Sequence, residues 1–385
     1  MKQIHECLDL LRQLVSIPSP SQNEEEHARF IAAYLRDELA METELQHVAG
    51  KSYNVVGRWP LSEGDAPRKL MLGGHLDTVS PTPHWKTDPY RLVQQGDRLC
   101  GLGAGDMKGG LAAQLTVLKS LRTQGVRLHA EVEFAGFADE ERHSIGVNAY
   151  VDQVLASKRP LPETFFIMAE PHFDHIVIGA AGKVLLKLET LGEPGHAAVP
   201  EKGVNAVDSM VALLQAVNQI WGNQYRNGTA GSHCCLMIQS DYPGYCLNIP
   251  ERCVCLINKQ LNAGELAEHV QEELHQFYQT YVGQGKLSVS REIPSYPSYQ
   301  LPLDQPDLTS LCDLLRRKFH RSPTLRINQS VSDGNILCHS LGIPTVLFGP
   351  QGVDFHTERE YLSLQSLEQY MEELESFIKM RYMET

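Results

Sequence analysis

No apolar run in this 385-residue chain approaches the ~18–20 residues that a membrane span needs, which excludes a spanning helix. The opening stretch Met1-Lys2-Gln3-Ile4-His5-Glu6 lacks the basic segment and apolar core of a secretory signal. Nine cysteines are present, but none forms a C-x-x-C pair: Cys234 and Cys235 are adjacent, and Cys253 and Cys255 alternate along an expected strand. That spacing suits neither a zinc finger nor a disulfide framework, and it implies reduced thiols in a cytoplasmic protein. Basic residues are also short, with 34 Lys and Arg against 47 Asp and Glu and a formal charge of −13. Nucleic acid and anionic membranes are gripped by clustered basic groups, so neither is expected as a partner. There is no internal repeat and no low-complexity segment.

What remains is a chain with 42% hydrophobic and 21% charged residues, the balance of a soluble globular protein long enough for two domains. Ile4, Leu8, Leu11 and Leu14-Val15 recur at helical spacing and predict an amphipathic first helix. Over the first 180 residues apolar runs alternate with helical patterns. Strands are expected at 69–72, 130–135 and 165–168, with helices at 111–121 and 147–155. This order predicts an α/β fold with a mostly parallel sheet and helices on both faces. From about Gly182 a smaller set follows, with strands at 184–190, 234–239, 252–259 and 287–291 and helices at 206–220 and 265–281. It reads as an inserted α+β domain. The Pro- and Ser-rich run 293–299 marks its end. A helix at 307–320, a strand at 345–348 and a helix at 364–380 then complete the first sheet. The boundaries are 1–181 and 295–385 for the divided first domain and 182–294 for the insert.

Five constellations stand at the ends of expected elements. Gly73-Gly74-His75-Leu76-Asp77 follows a buried strand, and in extended chain His75 and Asp77 point to one side, where the acid can orient the imidazole as a metal ligand. Alone, His-x-Asp is an ordinary surface pattern. Asp106 lies in the glycine-rich run 101–110 ahead of a helix, where it is either an N-cap or a ligand; the glycine spacing fits neither common phosphate-binding fingerprint. Asp139-Glu140-Glu141 is either a solvated charge run or a division of labour in which Glu141 binds metal and Glu140 acts as base. Glu170 follows an apolar strand, where a buried acid needs a cation or a hydrogen-bond donor. His356 lies in the run 349–358, beyond a further apolar strand. All five groups follow strands of one expected sheet, the edge at which α/β folds gather their loops. Three oxygen donors with two imidazoles suit zinc, and one bridging aspartate would give a paired site.

Together these motifs resemble the dizinc hydrolases that include acetylornithine deacetylase, succinyl-diaminopimelate desuccinylase, aminoacylase and the glutamate-releasing carboxypeptidases. The resemblance covers nearly the whole chain. It implies two Zn2+ per subunit, with Co2+ or Mn2+ as substitutes. His75 and Glu170 would hold one ion, Glu141 and His356 the other, and Asp106 would bridge them. Asp77 would stand behind His75, and Glu140 would be the general base. The resemblance also implies that the insert is a lid that mediates a homodimer. Its motif Gly192-Glu193-Pro194-Gly195-His196-Ala197-Ala198 would send His196 to the partner's active site to polarise the scissile carbonyl; without that context His196 is a plain loop residue.

Two positions depart from the family pattern. Relatives often carry an asparagine three residues before the lid proline and an arginine ten residues after it. Here Leu247 precedes Pro250 by three, Asn248 sits one place late, and Gln260 takes the arginine's place. A neutral amide cannot supply the bidentate charged grip that arginine gives a carboxylate. The expected function is hydrolysis of the amide bond of a small N-acyl amine or N-acyl amino acid by a metal-activated water. The alternatives are a carboxypeptidase or dipeptidase acting on short peptides, and a metal-binding interaction protein without catalysis. His339 is expected to be a packed residue, and His172 and His175 to have surface or supporting roles near Glu170.

Overall fold

The computed structural model describes residues 2–59, 68–158, 162–228, 231–241 and 247–383. Helix α1 (Lys2–Ser16) buries Cys7, Leu8, Leu11, Leu14 and Val15 on one stripe, as the spacing predicts. Helix α2 (Glu25–Asp37) carries Glu25 and Glu26 in its first turn and Arg36 in its last, charges that complement the helix dipole. A hairpin of β1 (Glu42–Ala49) and β2 (Ser52–Trp59) comes next. The alternation expected from the sequence then follows: β3 (Arg68–His75), α3 (Gly109–Thr123), β4 (Glu131–Phe137), α4 (Ile145–Ser157), β5 (Glu163–Met168) and β6 (His175–Ala180).

The insert contributes β7 (Gly182–Leu191), α5 (Ala206–Arg226), β8 (His233–Ser240), β9 (Arg252–Leu261), α6 (Ala267–Tyr281) and β10 (Lys286–Tyr296). The chain closes through β11 (Tyr299–Gln300), α7 (Pro306–Lys318), β12 (Thr324–Asn328), α8 (Asp333–Leu341), β13 (Thr345–Leu347) and α9 (Leu364–Tyr382). Two compact units result. One is Met1–Gly179 with Gln300–Asn328 and Ser332–Thr385; the other is Ala180–Tyr299 with Gln329–Val331.

The first unit is built on a nine-stranded sheet in the order β1-β2-β4-β3-β5-β13-β6-β11, with β12 paired to β6. Its centre is parallel, β4 with β3, β3 with β5 and β5 with β13. Antiparallel pairs flank it, β2 with β4 and β13 with β6. Parallel strands are covered on both faces, so β3 carries the unbroken apolar run Leu70-Met71-Leu72, all fully buried. Helix α3 is buried nearly all round and packs on α9 and α1. In register, His75 lies opposite Phe137, Gly73 opposite Met168, and Met168 opposite Leu347. The carboxyl ends of all four parallel strands therefore reach one edge together. Gly73 has φ +134°, and a Cβ there would overlap the Ala135 carbonyl oxygen; only glycine fits at this point of β3, two residues before His75. A small sheet joins Val93–Gln95 and Arg98–Cys100 to Tyr361–Ser363 and Gly352–Val353.

The second unit is a four-stranded antiparallel sheet, β8-β9-β7-β10, with α5 and α6 on one face. Strand β7 alternates strictly, with Val184, Leu186 and Leu188 turned inward to meet Cys255 and Ile257 of β9 and Leu213, Trp221 and Leu274 of the helices. The Asn205 side chain caps α5 by accepting from the N–H of Val207 at 2.9 Å and of Asp208 at 3.3 Å. Among the described residues no helix is long and apolar enough to cross a membrane. The eight described cysteines are all free; the ninth, Cys246, lies outside the described residues. His339 is exposed rather than packed, because it falls on the outer side of the short helix α8.

Candidate metal centre

Each side chain expected at the site leaves a strand or loop at the carboxyl edge of the parallel strands. His75 ends β3, and Asp139, Glu140 and Glu141 follow β4. Glu170 follows β5, and His356 lies in the loop beyond β13. Asp106 does not follow a strand of the main sheet as expected: it arrives from the glycine-rich segment between Arg98–Cys100 of the small sheet and α3. The N-cap of α3 is Lys108, so Asp106 does not cap it. The alternative reading of Asp106 as a capping residue is therefore excluded.

These groups meet. His75 Nε2 lies 3.0 Å from Asp106 Oδ1 and 4.0 Å from Glu170 Oε1. His356 Nε2 lies 3.4 Å from Asp106 Oδ2 and 2.8 Å from Glu141 Oε1. Ligand atoms of His75, Asp106 and Glu141 all fall within 4.8 Å of one another. Asp106 thus turns one oxygen to each imidazole, and each imidazole has a second carboxylate beside it. The arrangement has the symmetry of a two-ion site with a shared carboxylate.

A sequence model of peptidase family M20/M25/M40 matches residues 71–380. The chain belongs to that family. It is 31% identical over 215 residues to a succinyl-diaminopimelate desuccinylase of Nautilia profundicola, covering 54% of this chain. In that match the chain spans little more than half of the curated relative, 56% of its length. It is 25% identical to an N-formyl-4-amino-5-aminomethyl-2-methylpyrimidine deformylase of Halalkalibacterium halodurans, over 98% of this chain and 94% of the relative. Among solved structures, a tripeptidase of Staphylococcus aureus superposes with a TM-score of 0.78 at 21% identity, covering 98% of both chains. A dinuclear metal-binding peptidase of Bacillus subtilis superposes with a TM-score of 0.72 at 15% identity, covering 98% of this chain and 97% of its own. The fold is therefore that of the M20 peptidases, and the protein is a hydrolase of their family.

Asp77 lies between His75 and the turn that carries Glu140 and Glu141. Its main-chain oxygen lies 2.9 Å from His75 Nδ1, while its carboxylate Oδ1 is 3.5 Å from the same nitrogen. The carboxylate's nearest donors are elsewhere: the N–H of Glu140 at 3.0 Å, the N–H of Glu141 at 3.1 Å and the Ser21 hydroxyl at 2.7 Å. The turn they belong to folds around the Asp139 carbonyl, which accepts from the N–H of His143 at 3.0 Å and of Ser144 at 2.6 Å.

Charge in the cluster is heavily one-sided. Burial, with the charge of Asp106, pushes Glu170 up to about 8. Burial likewise raises Glu140 well above the carboxylate range, against the pull of His75. At the N-terminus of α8, buried Asp333 is pushed up to about 7 by its burial. Asp106 moves the other way: burial opposes ionisation, but hydrogen bonds from His356 and His75 hold it low. Hydrogen bonds to Asp106 and Glu141 lift His356 to about 10. Burial opposes a charge on His75, but its carboxylate neighbours Asp106, Asp77 and Glu170 raise it well above the usual imidazole range. In the metal-free chain the two imidazoles therefore hold protons that balance part of the carboxylate charge, and divalent cations would take the place of those protons. The donor set, nitrogen and oxygen only, fits zinc.

His196 belongs to the second unit. It is exposed, and its Nδ1 accepts the Ala198 N–H at 3.1 Å. In a neutral ring that places the hydrogen on Nε2, which is then a free-standing donor. Besides Ser21 and Asp333, Lys108 and Glu360 lie near the cluster and were not expected from the sequence. Both are nearly fully buried. They act on main-chain groups, so spacing to another polar side chain does not reveal them. Burial lowers His172 to about 4, and its ring centroid lies 4.9 Å from that of His175.

Proposed function

We propose that the chain is a dizinc deacylase that hydrolyses the amide bond of a small N-acyl amine or N-acyl amino acid. The observation that carries this reading is the convergence of His75, Asp106, Glu141, Glu170 and His356 beside Glu140. His75 and Glu170 would hold one ion, Glu141 and His356 the second, and Asp106 both. Bound zinc supplies a Lewis acid that polarises the amide carbonyl and acidifies water. Glu140 takes the proton of the attacking water. It then passes that proton on to the leaving amine nitrogen. Asp77 fixes the main chain of Glu140 and Glu141 and, through its own main-chain oxygen, the His75 ring. His196 of a second copy, with its hydrogen on Nε2, would donate to the oxyanion.

Support for a deacylase over a peptidase comes from two sides. The relative matched along nearly its whole length removes a formyl group. Gln260 offers no charged grip for a free carboxylate, which disfavours a carboxypeptidase and, by the same argument, an N-acyl amino acid, so an N-acyl amine is the favoured substrate class. Peptide hydrolysis by the same machinery is the second reading, favoured by the tripeptidase fold neighbour. A non-catalytic role is disfavoured because the chain keeps Glu140 and all five ligand candidates, where loss of one of them is expected of a protein that has given up catalysis.

A homodimer through the second unit is part of the proposal. Strand β8 is an edge strand with Leu236, Met237 and Ile238 exposed, a bare template that a second copy would cover. Free cysteines support a reducing, cytoplasmic setting.

The deciding experiment pairs metal analysis with a panel of N-formyl, N-acetyl and N-succinyl amines set against dipeptides. Hydrolysis of N-acyl amines, abolished by a chelator and restored by Zn2+, Co2+ or Mn2+, is expected. Turnover of dipeptides alone would replace the deacylase reading with the peptidase one, and a protein that binds metal but turns over nothing would overturn both.

A further inference from the structure

Glu360 lies four residues beyond His356 and is 2% exposed. Its Oε2 accepts the N–H of Gly103 at 3.1 Å, and its Oε1 accepts the N–H of Gly105 at 2.9 Å and of Asp106 at 3.2 Å. All three donors belong to the loop that delivers Asp106. The main chain of this loop leaves helical geometry at Asp106, with φ −122° and ψ 94°, so its N–H groups need partners outside a regular helix. One carboxylate satisfies three of them. The approach is close: a Cβ on Gly105 would stand 3.2 Å from the Gly352 Cα and 3.4 Å from Glu360 Oε1.

Lys108 grips the same loop from the other side. It is 1% exposed, and its Nζ donates to the carbonyls of Leu14 at 2.9 Å and Ile17 at 2.8 Å, at the end of α1. Burying one more acid beside Asp106 costs free energy that a neutral acceptor would not. A carboxylate in return offers two acceptor oxygens, no competing donor and charge-assisted bonds. The feature that distinguishes Glu360 is what it connects, because its own segment carries His356 and the loop it holds carries Asp106.

We propose that Glu360 is a positioning residue that sets the Asp106 carboxylate between the two imidazoles and fixes the Asp106 loop to the His356 segment. This rests on the reading of the cluster as a metal centre. Glu360 touches neither imidazole by this account; it acts through the main chain of Asp106. Losing it lets the shared carboxylate wander, so metal retention suffers before substrate binding does.

The test is Glu360→Gln, which keeps the size of the side chain but turns an amide NH2 toward a main-chain N–H. In chelator competition, Zn2+ should be held about tenfold or more weaker than by the parent protein. The visible spectrum of the Co2+-loaded variant should change, and kcat should fall with KM little altered. A Glu360→Gln protein that keeps its metal within twofold and shows the parent Co2+ spectrum overturns the proposal while leaving the metal centre standing. A parent protein that binds no metal sinks the metal-centre reading instead, and this proposal with it. A second measurement needs no variant: in the metal-free parent protein the amides of Gly103, Gly105 and Asp106 should resist hydrogen exchange, and immediate exchange of all three would also refute the assignment.

Discussion

The Asp77 carboxylate accepts the main-chain N–H of Glu140 through Oδ1 at 3.0 Å. Its other oxygen takes the N–H of Glu141 at 3.1 Å, so one acid fixes the main chain of two neighbouring residues to which the proposed mechanism gives different tasks. Asp77→Asn keeps the shape but must present an amide nitrogen to one of those N–H groups. Activity or metal affinity should fall about 10–100-fold, the usual effect of losing a group that orients ligands. Side-by-side kcat and zinc content of the two proteins check this, and unaltered values for both would leave Asp77 without a role at the site.

Glu140 makes no ligand contact in the cluster, yet it shares the electrostatic field of His75, Glu170 and Glu141. Replacing it with alanine removes the proton acceptor and leaves all five proposed ligands. Turnover should drop by about 10²–10⁴, with two ions per subunit still bound. Plasma emission spectrometry on the inactive variant gives the metal count. Near-parent rates in Glu140→Ala would remove the base from the mechanism.

The five side chains that meet in the cluster were legible in the sequence because each lies beyond an apolar run or within a glycine cluster, and their shared placement stood out although each one alone had an ordinary structural reading. The parallel core was legible for a related reason: Leu70-Met71-Leu72 and Phe165-Phe166-Ile167 are unbroken apolar runs, as strands covered on both faces must be. Strand β1 was not read. Its sequence Glu-Thr-Glu-Leu-Gln-His-Val-Ala is half-exposed along most of its length and carries no apolar periodicity. Glu360 and Lys108 escaped because their partners are main-chain N–H and C=O groups. Which of those groups lack an internal partner depends on loop conformation, and no side-chain pattern records it.

Metal should stabilise the protein as well as activate it. Carboxylates that repel one another in the metal-free chain are neutralised by the ions, and whatever binds only the folded state adds stability by mass action. At a free concentration one hundred times Kd the gain is about 2.7 kcal/mol per site. Thermal unfolding with graded Zn2+ after chelation should show Tm rising with concentration. A Tm insensitive to zinc would mean that the folded cluster gains nothing from the ion.

Asp307 gives a pH dependence away from the site. Its Oδ1 accepts from Arg68 Nη2 at 2.5 Å, Arg381 Nε at 2.9 Å and the Tyr382 hydroxyl at 2.9 Å, joining β3, α7 and α9. Burial pushes the carboxyl up, but hydrogen bonds from Tyr382 and Arg68 and the charges of Arg68 and Arg381 outweigh it, leaving Asp307 below its ordinary value. A carboxylate held lower in the folded state than in the unfolded chain contributes stability above its unfolded pKa, near 4. That contribution is lost as pH falls through the folded value. Asp307→Asn should cost about 3–5 kcal/mol at pH 7, the range for breaking a buried ion pair, and should flatten the acid limb. Urea midpoints at pH 7, 5 and 3 decide it; parallel acid limbs for variant and parent would show that Asp307 does not drive the loss.

His196 offers the sharpest test of how two copies build a site. With Nδ1 accepting the Ala198 N–H, Nε2 carries the hydrogen and can donate to a developing oxyanion. Removing one such donor costs about 10²–10³ in kcat. Because the residue is exposed and in a loop, His196→Ala should leave folding stability within about 0.5 kcal/mol and zinc content unchanged. If the donor comes from the other copy, subunits carrying Glu140→Ala and subunits carrying His196→Ala complement each other. Half of the dimers reassembled from an equal mixture are mixed, and each mixed dimer has one intact site of two, so about a quarter of parent activity returns. A donor supplied within its own subunit gives no recovery, because every site then lacks either the base or the imidazole. Recovery therefore requires both a dimer and a crossing His196, and a mixture as inactive as its parts excludes the crossing.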